Sequence, residues 1–206
     1  MENPIDRLLV AFERFPGIGP RQARRFVQFL LSQNNAYRAG LAEDIRALGS
    51  QTAVCRRCFR WFVKNGGEVT LCSLCGNKKR DAGLLFVIEK DADIENVERG
   101  GYKGLYFVLG GTVPLAEEHP ERFIRAKELF TRIEGDAQNG GLKEIILGLS
   151  ATSEGDHTRL LLQEKLLPIA QGLGFKISSL GRGLSTGSEL EYADPDTISQ
   201  ALGNRH

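Results

Sequence analysis

All four cysteines of the chain fall in one cluster, Cys55-x2-Cys58, then thirteen residues, then Cys72-x2-Cys75. A CxxC pair puts two thiolates on one tight turn, and two such turns close together supply the four sulfurs of a tetrahedral zinc site. The spacing predicts a small module holding one structural Zn2+ per chain, because four thiolates leave no open position for a reacting water. Disulfide pairing is the weaker alternative, since the polar start Met1-Glu2-Asn3-Pro4 contains no export signal. Trp61, the only tryptophan, lies between the pairs. It is expected to form the module's small core, with base stacking as the alternative.

Charge divides the chain around this module. Residues 1–80 carry 14 Lys and Arg against 6 Asp and Glu, whereas residues 81–206 carry 13 against 20. A basic first part suits a polyanion, and an acidic second part suits cations or a basic partner. No run of about 18 apolar residues occurs, so no membrane span is expected and the protein is assigned to the cytoplasm.

The 206 residues suffice for one ordinary domain with small modules attached. Asn3 before Pro4 reads as a helix cap, followed by Ile5, Leu8, Leu9 and Phe12 at helical spacing. Phe15-Pro-Gly-Ile-Gly-Pro20 stops that helix, and Ala23, Phe26, Val27, Leu30 and Leu31 mark the inner face of a second. A third is expected over 36–48. After Gly83 the pattern changes to short apolar runs at 84–88, 105–109, 144–149 and 175–180, separated by helical stretches near 91–99, 120–134 and 156–171. Strands alternating with helices predict a largely parallel, helix-covered sheet. The tail, 181–206, is turn-rich, with a late helix capped by Asp194 before Pro195.

Three groups of residues carry chemistry. The Pro-Gly-Ile-Gly-Pro turn between two amphipathic helices has the pattern of a helix-hairpin-helix. Gly17 and Gly19 let backbone approach a phosphate, Ile18 anchors the turn, and Arg21 and Arg25 add charge on one face. Such contacts position a protein on DNA without reading its sequence. Cys55, Cys58, Cys72 and Cys75 form the second group. The third is acidic: Glu89, Asp91 and Asp93 follow the first strand of the sheet, and Glu154 and Asp156 follow the third. Acids at the C-terminal ends of parallel strands converge where such sheets bind ligands, and oxygen ligands there suit Mg2+. An ion-free acidic rim is the equal alternative. No P-loop and no Ser-His-Asp or Cys-His arrangement can be read.

The order of these parts resembles the RecR family of bacterial recombination mediators. Phe15–Pro20 is similar to the family's hairpin, 104–111 (Gly-Leu-Tyr-Phe-Val-Leu-Gly-Gly) to its central strand and turn, and 183–194 to its C-terminal signature. The resemblance implies α/β architecture with small modules: a helix-hairpin-helix (1–50), a four-Cys zinc module (51–80), a Toprim-type parallel α/β domain (81–180), and a Gly-rich tail with a helix (181–206) making oligomer contacts. It further implies a non-catalytic, nucleoid-associated protein that binds double-stranded and gapped DNA. In that picture a homodimer or ring tetramer acts with RecO and RecF to load RecA at single-stranded gaps. Arg21 and Arg25 then match DNA-contacting positions, and Glu89, Glu154 and Asp156 match Toprim acids associated with RecO. Two features depart from the family pattern: the thirteen-residue spacer between cysteine pairs, and Asp156 where glutamate is usual. The rival reading is a Mg-dependent Toprim nuclease or primase-like enzyme.

Overall fold

The computed structural model describes residues 3–64, 66, 70–139, 141–181, 183, 184, 187 and 189–203, with no account of the Asp196 side chain. Ser185, Thr186 and Ser188 of the expected C-terminal signature lie outside them, as does His206. The chain divides into two compact units, Met1–Ala53 and Val54–His206.

The first unit is helical: α1 (Pro4–Glu13), α2 (Pro20–Ser32) and α3 (Asn35–Gln51). Asn3 caps α1 by accepting from the Asp6 N–H at 3.0 Å, and Asn34 caps α3 through the Tyr37 N–H at 2.9 Å. α2 buries Ala23 and Val27, one turn apart, and Phe26 meets Phe12 of α1 edge-on at 5.7 Å. α3 buries none of its side chains. Its apolar positions Leu41, Ile45 and Leu48 are exposed, and with α1 and α2 they leave an apolar groove of about 400 Å3.

β1 (Thr52–Val54) crosses the boundary, and the second unit continues with β2 (Trp61–Val63) and the short α4 (Ser73–Gly76). Then come β3 (Asp81–Ile88), α5 (Asp93–Arg99), β4 (Gly104–Val108), α6 (Ala126–Gln138), β5 (Glu144–Gly148), α7 (Ser153–Leu173), β6 (Lys176–Ser179) and α8 (Pro195–Gly203). β3 to β6 form a four-stranded sheet of order β4-β3-β5-β6, every pairing parallel, as the alternation of strand and helix predicts. The chain leaves β3 toward β4 and returns past it to β5, so β3 marks the topological switch point. Both faces are covered. Leu85, Val87, Leu105 and Phe107 pack with Leu129, Ile133, Leu162 and Leu166 of α6 and α7, while Phe86, Ile88, Tyr106 and Val108 pack with Ile94 of α5.

Two helices of the second unit depart from the sequence reading for identifiable reasons. The stretch expected as one helix over 120–134 is a 3-10 turn at Pro120–Arg122 and then α6 from Ala126. Arg125 interrupts it, its N–H donating to Leu109 O at 2.9 Å and its guanidinium to Val108 O at 3.1 Å. α7 begins at Ser153 rather than Asp156, because Thr152 caps it by accepting from the Gly155 N–H at 3.1 Å.

β4 is an edge strand, yet all five residues are buried. Its outward carbonyls each meet an arginine: Arg80 Nε donates to Gly104 O at 2.7 Å, Arg132 to Tyr106 O at 2.5 Å, and Arg125 to Val108 O. Arg80 also forms a two-pronged pair with Glu98 at 3.0 and 2.6 Å, and the Tyr106 hydroxyl donates to the same carboxylate at 2.5 Å. The Arg80 guanidinium holds the Glu98 carboxyl below the usual carboxylate value. That contribution is present above the unfolded carboxylate pKa and is lost as pH falls through the folded one. Arg80→Ala strands a part-buried carboxylate and is expected to cost about 3 kcal/mol in urea unfolding at pH 7. The stability gap between the parent and Glu98→Gln should narrow as pH falls below about 4.

Candidate nucleic-acid interface and metal centre

The hairpin turn follows from its residues. Phe15 N–H bonds back to Phe12 O at 3.0 Å and Ile18 N–H to Phe15 O at 3.1 Å, with Gly17 at φ +76° between them. That left-handed conformation is one a side chain resists, and only glycine adopts it without strain. Ile18 is half-buried. α2 then starts at Pro20 with no side-chain cap and no acid in its first turn. The positive end of its dipole is therefore uncompensated within the helix. Arg21, Arg24 and Arg25 are all exposed, and Arg25 bonds Gln22 at 3.3 Å. A Cβ built at Gly17 or Gly19 would meet nothing within 4 Å, so the backbone of the turn is not covered by side chains there.

The four cysteines converge as predicted. Their sulfurs all lie within 4.8 Å of one another, and all four residues are buried. Cys58 Sγ and Cys72 Sγ are 3.6 Å apart. A disulfide needs about 2.05 Å, whereas a tetrahedron with Zn–S of about 2.3 Å has edges near 3.8 Å. The site therefore fits a tetrathiolate metal centre and not a disulfide. Backbone N–H groups support it, Cys72 donating to Cys55 Sγ at 3.4 Å and Cys75 to Cys72 Sγ at 3.5 Å. The thiols share protons unequally: contacts with Cys58, Cys72 and Cys75 hold Cys55 far below the usual thiol range, while contacts with Cys55, Cys72 and Cys75 drive Cys58 up. Four sulfurs this close need a cation before all can ionise together.

The module grips β4 from both sides. Val108 N–H donates to Cys58 O at 2.8 Å at the strand's edge. Phe59 lies against Phe107 on one face of the sheet, with rings 5.3 Å apart, and Leu74 joins the cluster of Phe86, Ile88 and Tyr106 on the other. Phe59 sits at φ +61°, a costly conformation for a bulky residue. Its N–H donates to Cys55 O at 2.9 Å, so the knuckle turn itself imposes the angle. Arg57 bonds Asp136 at 3.0 Å, and Arg132 reaches Arg57 O at 2.8 Å. Apart from the i,i+4 pair of Arg132 with Asp136 within α6, these contacts join distant chain segments and so carry no local signal in the sequence.

Trp61 does not form the module's core; it is 60 % exposed. β2 alternates, so Trp61 and Val63 face outward and Phe62 turns inward, where it packs on the sulfurs with Leu74.

The acids sit at the C-terminal end of the sheet but do not pool their oxygens. Glu89, 8 % exposed, pairs with Lys90 at 3.0 Å. Burial pushes its carboxyl up, but hydrogen bonds from Lys90 and Ser150 outweigh this and hold it below the usual value. Asp93 accepts from Lys90 N–H at 2.9 Å, Glu154 from Thr112 at 3.3 Å, and Asp156 pairs with Arg159 at 3.4 Å. Asp91 accepts from Trp61 N–H at 2.8 Å. Glu154 and Asp156 occupy the first turn of α7, where negative charge offsets the helix dipole. Gly155 between them is required, since a Cβ there would lie 2.0 Å from Ser150 O. Among the described residues the cysteines alone bring three or more metal-ligating side chains so close together, which leaves the Mg2+ expectation without support.

Residues 5–48 match the family model described as RecR, helix-hairpin-helix, residues 83–180 the Toprim domain, and residues 183–206 the model RecR, C-terminal. The chain is 36 % identical over 203 residues to the recombination protein RecR of Roseiflexus sp., covering 98 % of this chain and 93 % of that one. The RecR of Dehalococcoides mccartyi is 35 % identical over 202 residues, with the same coverage. That of Bifidobacterium longum subsp. infantis is 36 % identical over 206, covering 99 % and 96 %.

Metal removal provides a test of the centre. Prolonged chelation, or Cys75→Ser, should lower the unfolding midpoint by several degrees and shift Trp61 emission, and acidification should release the metal as thiolates take up protons. Metal-free protein with unchanged thermal stability would contradict a structural role.

Proposed function

This chain belongs to the RecR family, and from that membership and the geometry of its hairpin we propose that it is a recombination mediator of DNA repair, binding DNA without covalent chemistry. The observation that carries the reading is near full-length similarity to recombination proteins joined to an uncapped, acid-free helix start beside Arg21 and Arg25. Gly17, Ile18 and Gly19 shape the turn, and the two arginines hold neighbouring phosphates of duplex and gapped DNA without reading sequence.

On this reading residues 1–50 bind DNA, 51–80 form the zinc module, 81–180 the Toprim-type domain and 181–206 the oligomer-forming tail. Cys55, Cys58, Cys72 and Cys75 hold Zn2+, which supplies structural cross-linking alone because every coordination position belongs to the protein. The chain acts in the cytoplasm with RecO and RecF to place RecA at gaps. Glu89, Asp93, Glu154 and Asp156 then belong to an acidic surface for RecO, a use that suits carboxylates already paired within the fold. Assembly as a dimer or ring tetramer accords with the open apolar groove of the first unit and its exposed Ile45 and Leu48. A Toprim nuclease would need these acids to share a metal, and their separate partners speak against that use.

Arg21→Ala combined with Arg25→Ala is expected to weaken duplex binding about tenfold or more and to flatten its salt dependence by up to two phosphate contacts, with the fold intact. Unchanged affinity would sink the hairpin assignment. End-labelled gapped duplex incubated with the protein and Mg2+ should shift on a native gel and stay intact on a denaturing one. Cleaved or extended strands would establish an enzyme instead.

A further inference from the structure

The hairpin grips phosphates, and phosphates are much alike in duplex and single strand. Recognition of a gap calls for a second contact that only an unpaired strand can make. The cysteine module offers one.

We propose that this module is a second nucleic-acid site, taking an unpaired base of single-stranded DNA on the face of Trp61. The proposal rests on the DNA-binding reading and adds a contact of different chemistry to it. Trp61 and Val63, 60 % and 62 % exposed, form one outward apolar face on β2. An indole beside a second apolar side chain gives a flat apolar surface on which a base can stack. Its backbone is held firmly, with Trp61 N–H on the Asp91 carboxylate at 2.8 Å and the preceding Arg60 O accepting from Cys55 N–H at 2.9 Å. The ring thus stands on a pedestal fixed to both the metal centre and the sheet. Beside it runs an open cavity of about 660 Å3, lined by Trp61, Val63, Leu71, Arg60 and Asn77.

Charge selects the occupant. Residues 55–80 carry seven Lys and Arg and one acid. Three of the seven are engaged within the fold, Arg57 with Asp136, Arg60 with Asp91 and Arg80 with Glu98. Arg56, Lys64, Lys78 and Lys79 are exposed and have no ion-pair partner among the described residues. Lys64 follows Val63 directly, and Lys78 follows Asn77 of the cavity wall. An aromatic platform fringed by exposed cations is complementary to a strand with free bases and a phosphate backbone. A base in duplex already stacks on its neighbours and cannot use it.

Because Trp61 is the only tryptophan, its emission reports the contact directly. Metal-loaded full-length protein is titrated with oligo(dT) of about twelve nucleotides, with an abasic strand of equal length, and with a matched duplex. The expected result is quenching of Trp61 by oligo(dT) and weaker binding of the abasic strand. Trp61→Ala should bind oligo(dT) about tenfold more weakly, with Trp61→Phe recovering most of the loss and duplex affinity unchanged in both. Metal content and unfolding midpoint serve as folding controls, since the side chain is exposed. Equal binding of abasic and oligo(dT) strands, unquenched emission of the parent protein on binding oligo(dT), or full oligo(dT) affinity in Trp61→Ala would each overturn the proposal and leave the hairpin assignment standing. A change in the sedimentation of DNA-free Trp61→Ala, with oligo(dT) affinity intact, would also overturn it by assigning the face to a protein contact. Failure of duplex and strand alike to bind would remove the DNA-binding reading, and this inference with it.

Discussion

The second unit is organised around the closure of one sheet edge. A parallel strand at an edge exposes alternate N–H and C=O groups, and leaving them bare invites pairing with another chain. In β4 the outward carbonyls of Gly104, Tyr106 and Val108 are taken by Arg80, Arg132 and Arg125, and the Val108 N–H is taken by Cys58 O. The cysteine module is therefore more than an appendage. It caps the β4 edge through the Cys58 carbonyl and Arg80 and, through Phe59 and Leu74, adds to the apolar packing on both faces. A metal that holds the two knuckles together also holds the cap on the sheet. This is why loss of the metal is expected to reach beyond the module.

The same closure fixes the surroundings of the acidic end. Glu98 is tied to Arg80 and Tyr106, and Asp91 to the backbone of Trp61, so carboxylates of the α/β part secure the basic module. The remaining acids near the switch point have partners of their own in Lys90, Ser150, Thr112 and Arg159. Charge segregation along the chain thus has two consequences. Opposite charges join the module to the sheet, while the exposed cations of the module and the hairpin remain for a polyanion.

Two surfaces of different chemistry result. The hairpin offers glycine backbone, a helix start and arginines, which recognise phosphate wherever it occurs. The module offers an exposed indole near exposed lysines, the chemistry we propose for bases released from pairing. On the proposed reading the first surface takes phosphates of either kind of DNA, and the second takes the unpaired bases of a gap.

Local rules made much of this legible in the sequence. CxxC spacing identified the metal ligands, Pro-Gly-Ile-Gly-Pro identified the turn, and the change of hydrophobic period at Gly83 identified a parallel sheet, because each depends on residues within a few positions of one another. Trp61 was misplaced for the same reason: its composition says aromatic, but its side on β2 depends on which neighbour faces the sulfurs. The helix expected over 120–134 failed at Arg125, whose backbone and guanidinium are drawn to β4 across the fold. The acids were correctly placed at strand ends, yet their partners come from several loops and turn them from a shared ligand set into separate pairs. What the sequence by itself determined is what nearest neighbours decide: caps, turns, knuckles and the alternation of strand with helix. What tertiary structure alone decided is which charges meet and which aromatic stays in water, because those depend on segments brought together only by burial of the common core.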